Sequence, residues 1–271
     1  MSDNGEKFDR TEQLGYSELQ PLMLDETSRL QKAAKMLSVV KHFLGREDLS
    51  GLTAVDVGCS AGFIASAIHG QGATVTGVDI DLPGLDRARD RFGTEGLTFV
   101  EYSGHTLPFP DESIDLIVYN HVYEHTVDPD QVMSEIRRVL APKGAVYLGL
   151  GNRFGILEPH YRLPFLSWIP RPLADRYVRM AGRGDAYYEQ FKTRTGLRRM
   201  CAGLTVWDYT YSVLGDPERF AGDDMVRGPL TRIPDALWRL ATPIIPTFIW
   251  VGSKGQGPAG PTVRVPPRRL A

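Results

Sequence analysis

The segment Val55-Asp56-Val57-Gly58-Cys59-Ser60-Ala61-Gly62 combines residue types and spacing that could do chemistry. A short apolar run, Leu52–Val57, reads as a buried strand. It ends in an acid, turns through glycines and enters a helix over Ala61–His69. Gly58 suits the tight turn, and Gly62 is expected to let the helix start lie against a ligand with no Cβ between them. First-turn N–H groups of that helix would then face the ligand. Asp56 is an unusual neighbour for a pyrophosphate, and an acid there suits a ligand carrying an ammonium group. A second apolar run, Thr74–Asp79, ends in Asp79, expected at a solvent-facing strand end, whose carboxylate could accept both hydroxyl hydrogens of a ribose. Further along, His121 and His125 are four apart with Glu124 beside them, so in a helical turn both point one way. His160 and Tyr161 come after a later strand. Imidazoles so placed are candidate bases or clamps for an acceptor group. His42 and His69 lie on helices away from any motif, and His105 sits in a loop.

These groups need a scaffold, and the rest of the pattern supplies one. A helix is predicted from about Asp25 to Leu44, with Leu30, Ala33, Ala34, Leu37 and Val40 at helical spacing and Asp25 or Thr27 as its cap. After the first strand the rhythm alternates. Leu82–Arg91 is helix-like, Leu97–Glu101 strand-like, Ile114–Tyr119 strand-like, Pro129–Leu140 helical and Ala145–Leu150 again a strand. Strands alternating with helices at this spacing mean a parallel sheet covered on both faces, with ligands at the carboxyl edge where strand order reverses. After Gly151 the rhythm breaks into an aromatic, arginine-rich stretch. Thr205–Val213 and Thr247–Val251 read as two further strands.

Together these residues resemble the class I S-adenosylmethionine-dependent methyltransferases of the small-molecule type, similar to those of ubiquinone and menaquinone biosynthesis. The resemblance covers Leu52 to Leu150. It includes Leu107-Pro108-Phe109-Pro110-Asp111, Glu124-His125 with Asp128-Pro129, and Arg137-Arg138-Val139-Leu140-Ala141-Pro142-Lys143-Gly144, close to the family's R-V-L-K-P-G-G. It implies an α/β, Rossmann-like sheet, seven-stranded and mostly parallel, closed by an antiparallel hairpin of the last two strands. It implies S-adenosylmethionine as cofactor, with Asp56, Gly58, Ser60 and Gly62 around the methionyl part. Asp79 would hold the ribose, Ile80 would cover one adenine face, Ser103 and Gly104 would meet the adenine edge, and Asn120 would lie under the donor. Ser103 stands where the family usually has Asp, and Ser60 where glycine is usual. His121, Glu124 and His125 echo the Glu-x-x-Glu-His of ubiquinone-biosynthesis O-methyltransferases, where the loop can hold a divalent ion. Here the first acid is a histidine, and the reading is a hydrogen-bonded loop without a metal.

The organisation that follows is an N-terminal arm and helical cap over 1–48, a methyltransferase domain over 49–254 with an insert at about 152–200, and a disordered Gly/Pro-rich tail over 255–271. The expected reaction is methyl transfer to a small or lipid-like acceptor, on oxygen first, with His121, His125 and His160 as catalytic candidates. N- or C-methylation and a non-catalytic binding subunit are the alternatives. A nicotinamide oxidoreductase is disfavoured by the missing G-x-G-x-x-G and by Asp56. The insert, with Leu163-Pro164-Phe165-Leu166-Ser167-Trp168 among arginines, reads first as a lid, with peripheral membrane contact as the second reading. Net charge is −2 over 271 residues, and Lys and Arg are dispersed, which argues against nucleic acid as a partner. Two separated cysteines, no apolar run of bilayer length and a polar N-terminus without a signal-peptide core fit a reducing cytoplasm. Oligomeric state is left open.

Overall fold

The structure is a computed structural model, described here for residues 17, 24–226, 228 and 233–270. The N-terminal arm ahead of the helical cap falls outside the described residues, Ser17 apart. Helix α1, Glu26–Leu44, starts on Asp25, whose side chain accepts from the Ser28 amide, and stops at Gly45 in the left-handed conformation (φ 65°). Then come β1 (Thr53–Val57), α2 (Phe63–His69), β2 (Thr74–Asp79), α3 (Leu82–Phe92), β3 (Leu97–Glu101), β4 (Ile114–Asn120), α4 (Pro129–Val139) and β5 (Leu140–Gly151). The insert holds α5 (Arg171–Met180) and α6 (Arg194–Met200), and it is followed by β6 (Thr205–Asp208), α7 (Thr210–Gly215), α8 (Pro217–Phe220), α9 (Asp235–Leu240), β7 (Thr247–Ser253) and β8 (Arg268–Arg269).

The strands form one sheet in the order β3-β2-β1-β4-β5-β7-β6-β8. The first five pair in parallel, and β7 runs antiparallel to both β5 and β6. The alternation of strand side chains fills two cores. Ile117, Tyr119, Val146, Leu148, Phe248 and Trp250 face Val132, Met133 and Ile136 of α4 on one side. Leu116, Val118, Tyr147, Ile249 and Val251 face Met36, Val39 and Phe43 of α1, with α2 and α3, on the other. Both faces are thus covered, as parallel sheets require. Strand order reverses between β1 and β4, which opens the carboxyl edge at Gly58–Gly62 and Asn120–His125.

Two expectations change here. Thr205–Val213 is not one strand. Asp208 accepts the Thr210 amide at 3.0 Å, and this local turn ends β6 and starts α7. Residues 255–271 were expected to be disordered, but the described part, 255–270, folds back onto the domain. Ala259 and Gly260 donate amides to Phe43 and His42 carbonyls, Val263 and Val265 are buried, and Arg268–Arg269 pair with β6 as an eighth strand. His42 is a packing residue that anchors this return. Its ring bonds the Tyr209 hydroxyl at 2.9 Å and the Pro261 carbonyl at 2.8 Å. Composition hid this because two valines and a few backbone bonds suffice.

Candidate active site

A cavity of about 570 Å³ lies at the carboxyl edge. Its lining brings together Asp56 of β1 with Gly58 and Ser60 of the loop after it, Asn120 at the end of β4 with His121 and His125 beyond it, and His160 of the insert. Gly62, Asp79, Ile80, Ser103 and Gly104 are not in that lining.

The first loop is held by backbone geometry. Gly58 has φ 76°, and a Cβ there would come within 2.4 Å of Val122, so the turn and the close approach both require glycine. At Gly62 (φ 80°) the added Cβ would strike Phe99 at 2.8 Å and Ala88 at 2.9 Å, so the space its missing Cβ leaves goes to core packing rather than to a ligand. Ser60 itself is left-handed at φ 46°, and its amide donates to Asp79 Oδ2 at 2.6 Å. Asp79 Oδ1 takes the Ile80 and Asp81 amides at 2.7 and 3.0 Å. That uses three of the roughly four lone-pair sites of the carboxylate and leaves Oδ2 room for one hydroxyl hydrogen. Asp79 is buried rather than solvent-facing. Burial pushes its carboxyl up to about 6, against the pull of the Asp81 and Ser60 amides. The Ser103 hydroxyl accepts the His105 and Thr106 amides, each at 3.3 Å, so it closes its own turn.

Asp56 is different. It is buried, and Oδ2 meets no donor. Burial, reinforced by the Asp79 charge, pushes its carboxyl up to about 8. The Ser60 hydroxyl beside it is also buried and unpartnered. Two orphaned polar atoms on one cavity wall mark a place for a ligand that brings donors and positive charge.

At the end of β4, Asn120 lies across Gly149 of β5; a Cβ on Gly149 would clash with the Asn120 amide oxygen. His121 follows in the left-handed conformation (φ 53°), with its amide on the Gly149 carbonyl. That strained turn aims its ring at the cavity, and its Nδ1 pairs with Glu124 Oε1 at 2.9 Å. Glu124 is fully buried. Burial alone would raise its carboxyl, but the His121 hydrogen bond and charge, with His125 and His160 nearby, hold it below the usual range. His125 and His160 meet through their Nε2 atoms at 3.2 Å. Burial and the neighbouring His160 push His125 down to about 3. Burial works against the charge on His160 too, but Glu158, hydrogen-bonded to Nδ1 at 2.8 Å, and Glu189 raise it to about 9.

Sequence reasoning missed the insert acids. Glu158 and Glu189 are buried beside His160, and burial pushes Glu189 up to about 7. It also missed α1 as a wall. Arg29, Lys32 and Lys35 line the cavity, and burial lowers Lys32 to about 8, helped by Arg29 and Lys35. Their three-residue spacing was the signal available. Tyr161 is no acceptor contact in the cavity lining; its hydroxyl bonds the Ala186 carbonyl inside the insert's own small core.

Residues 55–148 match the family described as a methyltransferase domain. A fatty-acid O-methyltransferase of Mycolicibacterium smegmatis is 30% identical over 182 residues, 65% of this chain and 61% of that protein. A ubiquinone biosynthesis O-methyltransferase of Histophilus somni is 28% identical over 157 residues, 54% and 62% of the two chains. The chain thus spans about three-fifths of the length of these relatives. The fold is that of a chain in the complex between the Haloferax volcanii Trm112 methyltransferase activator and a methyltransferase: TM-score 0.53, 20% identity, covering 87% of this chain and 97% of that one. Residues 55–148 are thus a methyltransferase domain, of the class I kind that uses S-adenosylmethionine as cofactor. The orphaned Asp56 Oδ2 and Ser60 Oγ fit that cofactor's cationic amino-acid part. Among the described residues no helix is long and apolar enough to cross a membrane.

Proposed function

We propose that this chain transfers the methyl group of S-adenosylmethionine to an oxygen of a small or lipid-like acceptor. The observation that carries the reading is the continuity of one cavity from Asp56 and Ser60 to His121, His125 and His160. When bound, S-adenosylmethionine supplies a methyl on a good leaving group, and most of the protein's help is alignment. Asp56 and Ser60 would bind the amino-acid part, Asp79 one ribose hydroxyl, and Asn120 the underside of the donor. His121 is the base: Glu124 accepts the hydrogen bond from Nδ1–H and leaves Nε2 to accept from the acceptor hydroxyl. Leu157, Pro159, Trp238, Ile245 and Pro246 make the far wall apolar, which suits an apolar acceptor body under an insert that acts as a lid. Both named relatives act on oxygen acceptors by their names, which supports oxygen over nitrogen or carbon.

The test is transfer of labelled methyl to a panel of carboxylic acids, phenols and amines by the full chain. Product with an oxygen acceptor supports the reading. Donor binding with no product from any acceptor would favour the binding-subunit alternative.

A further inference from the structure

The rings of His125 and His160 stand at 89° to each other with Nε2 facing Nε2 at 3.2 Å. Behind His160, the carboxylate of buried Glu158 lies 2.8 Å from Nδ1. A carboxylate there keeps a proton on Nδ1, so a metal ion that displaces the Nε2 proton meets a lone pair turned toward His125. Glu124 stands beside the pair. Its Oε1 is held by His121 Nδ1, and its Oε2 is buried and meets no donor. One ligating atom from each of Glu124, His125 and His160 lies within 4.8 Å of the others. A shared proton between the rings would satisfy the two imidazoles and leave the Glu124 oxygen stranded. A cation at the centre satisfies all three.

We propose that Glu124, His125 and His160 bind one divalent transition-metal ion, with Glu158 orienting His160 and His121 orienting Glu124. Two imidazoles on a tetrahedral zinc at about 2.0–2.1 Å stand about 3.3 Å apart, and the observed separation matches. Two nitrogens and one carboxylate oxygen suit zinc, iron(II), cobalt or nickel; magnesium and calcium prefer all-oxygen sets. Three protein ligands leave a coordination position, and His125 and His160 both line the cavity. One consequence rests on the methyl-transfer reading: an acceptor oxygen in that position becomes more acidic before His121 takes its proton. The ligand set differs from what spacing suggested, because His160 comes from the insert and His121 serves behind Glu124.

The full chain, stripped with a chelator, is titrated with Zn²⁺ and with Co²⁺ in the absence of donor and acceptor. The expected result is one ion per chain, a visible d–d band with Co²⁺, and a higher melting midpoint with metal. Glu158→Gln leaves the ligands in place and weakens the ion about 10- to 100-fold. His160→Gln abolishes stoichiometric binding while circular dichroism shows the fold retained. Wild-type protein that takes up no stoichiometric ion overturns the proposal, whatever the variants do. So does His160→Gln with wild-type affinity. Donor calorimetry on the same stripped sample separates the two readings. Donor binding without metal binding overturns the metal site alone; metal binding without donor binding supports the metal site and removes the methyl-transfer reading.

Discussion

The two ends of the cavity solve the problem of buried charge in opposite ways. At the donor end, Asp56 Oδ2 and the Ser60 hydroxyl are buried without partners, and burial holds the Asp56 carboxyl up at about 8. At the histidine end most groups hold one another: Glu124 Oε1 takes His121, and Glu158 takes His160 and the Tyr161 amide, while Glu124 Oε2 and Glu189 Oε2 stay without donors. An unpaired buried acceptor costs stability and persists where a ligand repairs it. A network of acids and imidazoles fixes ring orientation before any substrate arrives. The donor end leaves both of its named groups unpaired, whereas the histidine end pairs its imidazoles and leaves only carboxylate oxygens over.

The sharpest way to break this contrast is at the organised end. His121→Gln removes the proposed base. Turnover should fall by about 10²–10⁴, the usual contribution of a positioned base, with donor affinity unchanged. Normal turnover in steady-state assays would mean that the histidine end only packs.

A deletion remote from both ends is the control. Removing residues 255–271 exposes Val263 and Val265 and takes the Pro261 carbonyl from His42. Stability in denaturant should drop by about 3 kcal/mol or more, from valine burial alone. Donor affinity should survive. An unchanged unfolding midpoint would show that the tail does not dock.

Asp79→Ala acts at the donor end in two ways. Donor affinity should fall by about 1.5–3 kcal/mol, the scale of hydrogen bonds to a charged group. Thermal stability should fall as well, because the Ser60, Ile80 and Asp81 amides lose their acceptor. Weakened binding with an unchanged melt would mean the loop does not depend on that carboxylate.

The smallest effect is on pH. Asp56 titrates at about 8 in the folded chain, above its unfolded value, so the folded state binds more protons and stability falls as pH rises toward 8. His160, raised to about 9, adds the same sign: its stabilisation is present below its unfolded pKa and is lost toward 9. Ligand-free protein should therefore be less stable at pH 8 than at pH 6.5. Denaturant titrations at the two values check this, and Asp56→Asn should flatten the difference.

Much of the scaffold was legible because its signals are local. Thr74–Asp79 and Leu97–Glu101 begin and end as apolar runs bounded by turn residues, and the structure keeps those limits. The Gly58 turn and Asp56 were legible for the same reason. The histidine end was only half legible. His121 and Glu124 are near in sequence, but His160 reaches His125 across 35 positions and draws Glu158 and Glu189 with it, a pairing that no spacing rule encodes. Asp79 was placed correctly on its strand but misread as solvent-facing, because its contacts are loop amides rather than side chains.

The measurement that bears most directly on the donor end is calorimetry of S-adenosylmethionine against the full chain and Asp56→Asn. The expected result is one site on the wild type, preferred over NAD, and affinity about 10- to 150-fold weaker in the variant, as for a lost hydrogen bond between charged groups. The ligand-free variant should melt no lower than wild type, because it removes an unpaired buried carboxylate. Tighter binding of NAD, or equal affinity of the two proteins for S-adenosylmethionine, would contradict the assignment of Asp56 to the donor's cationic part.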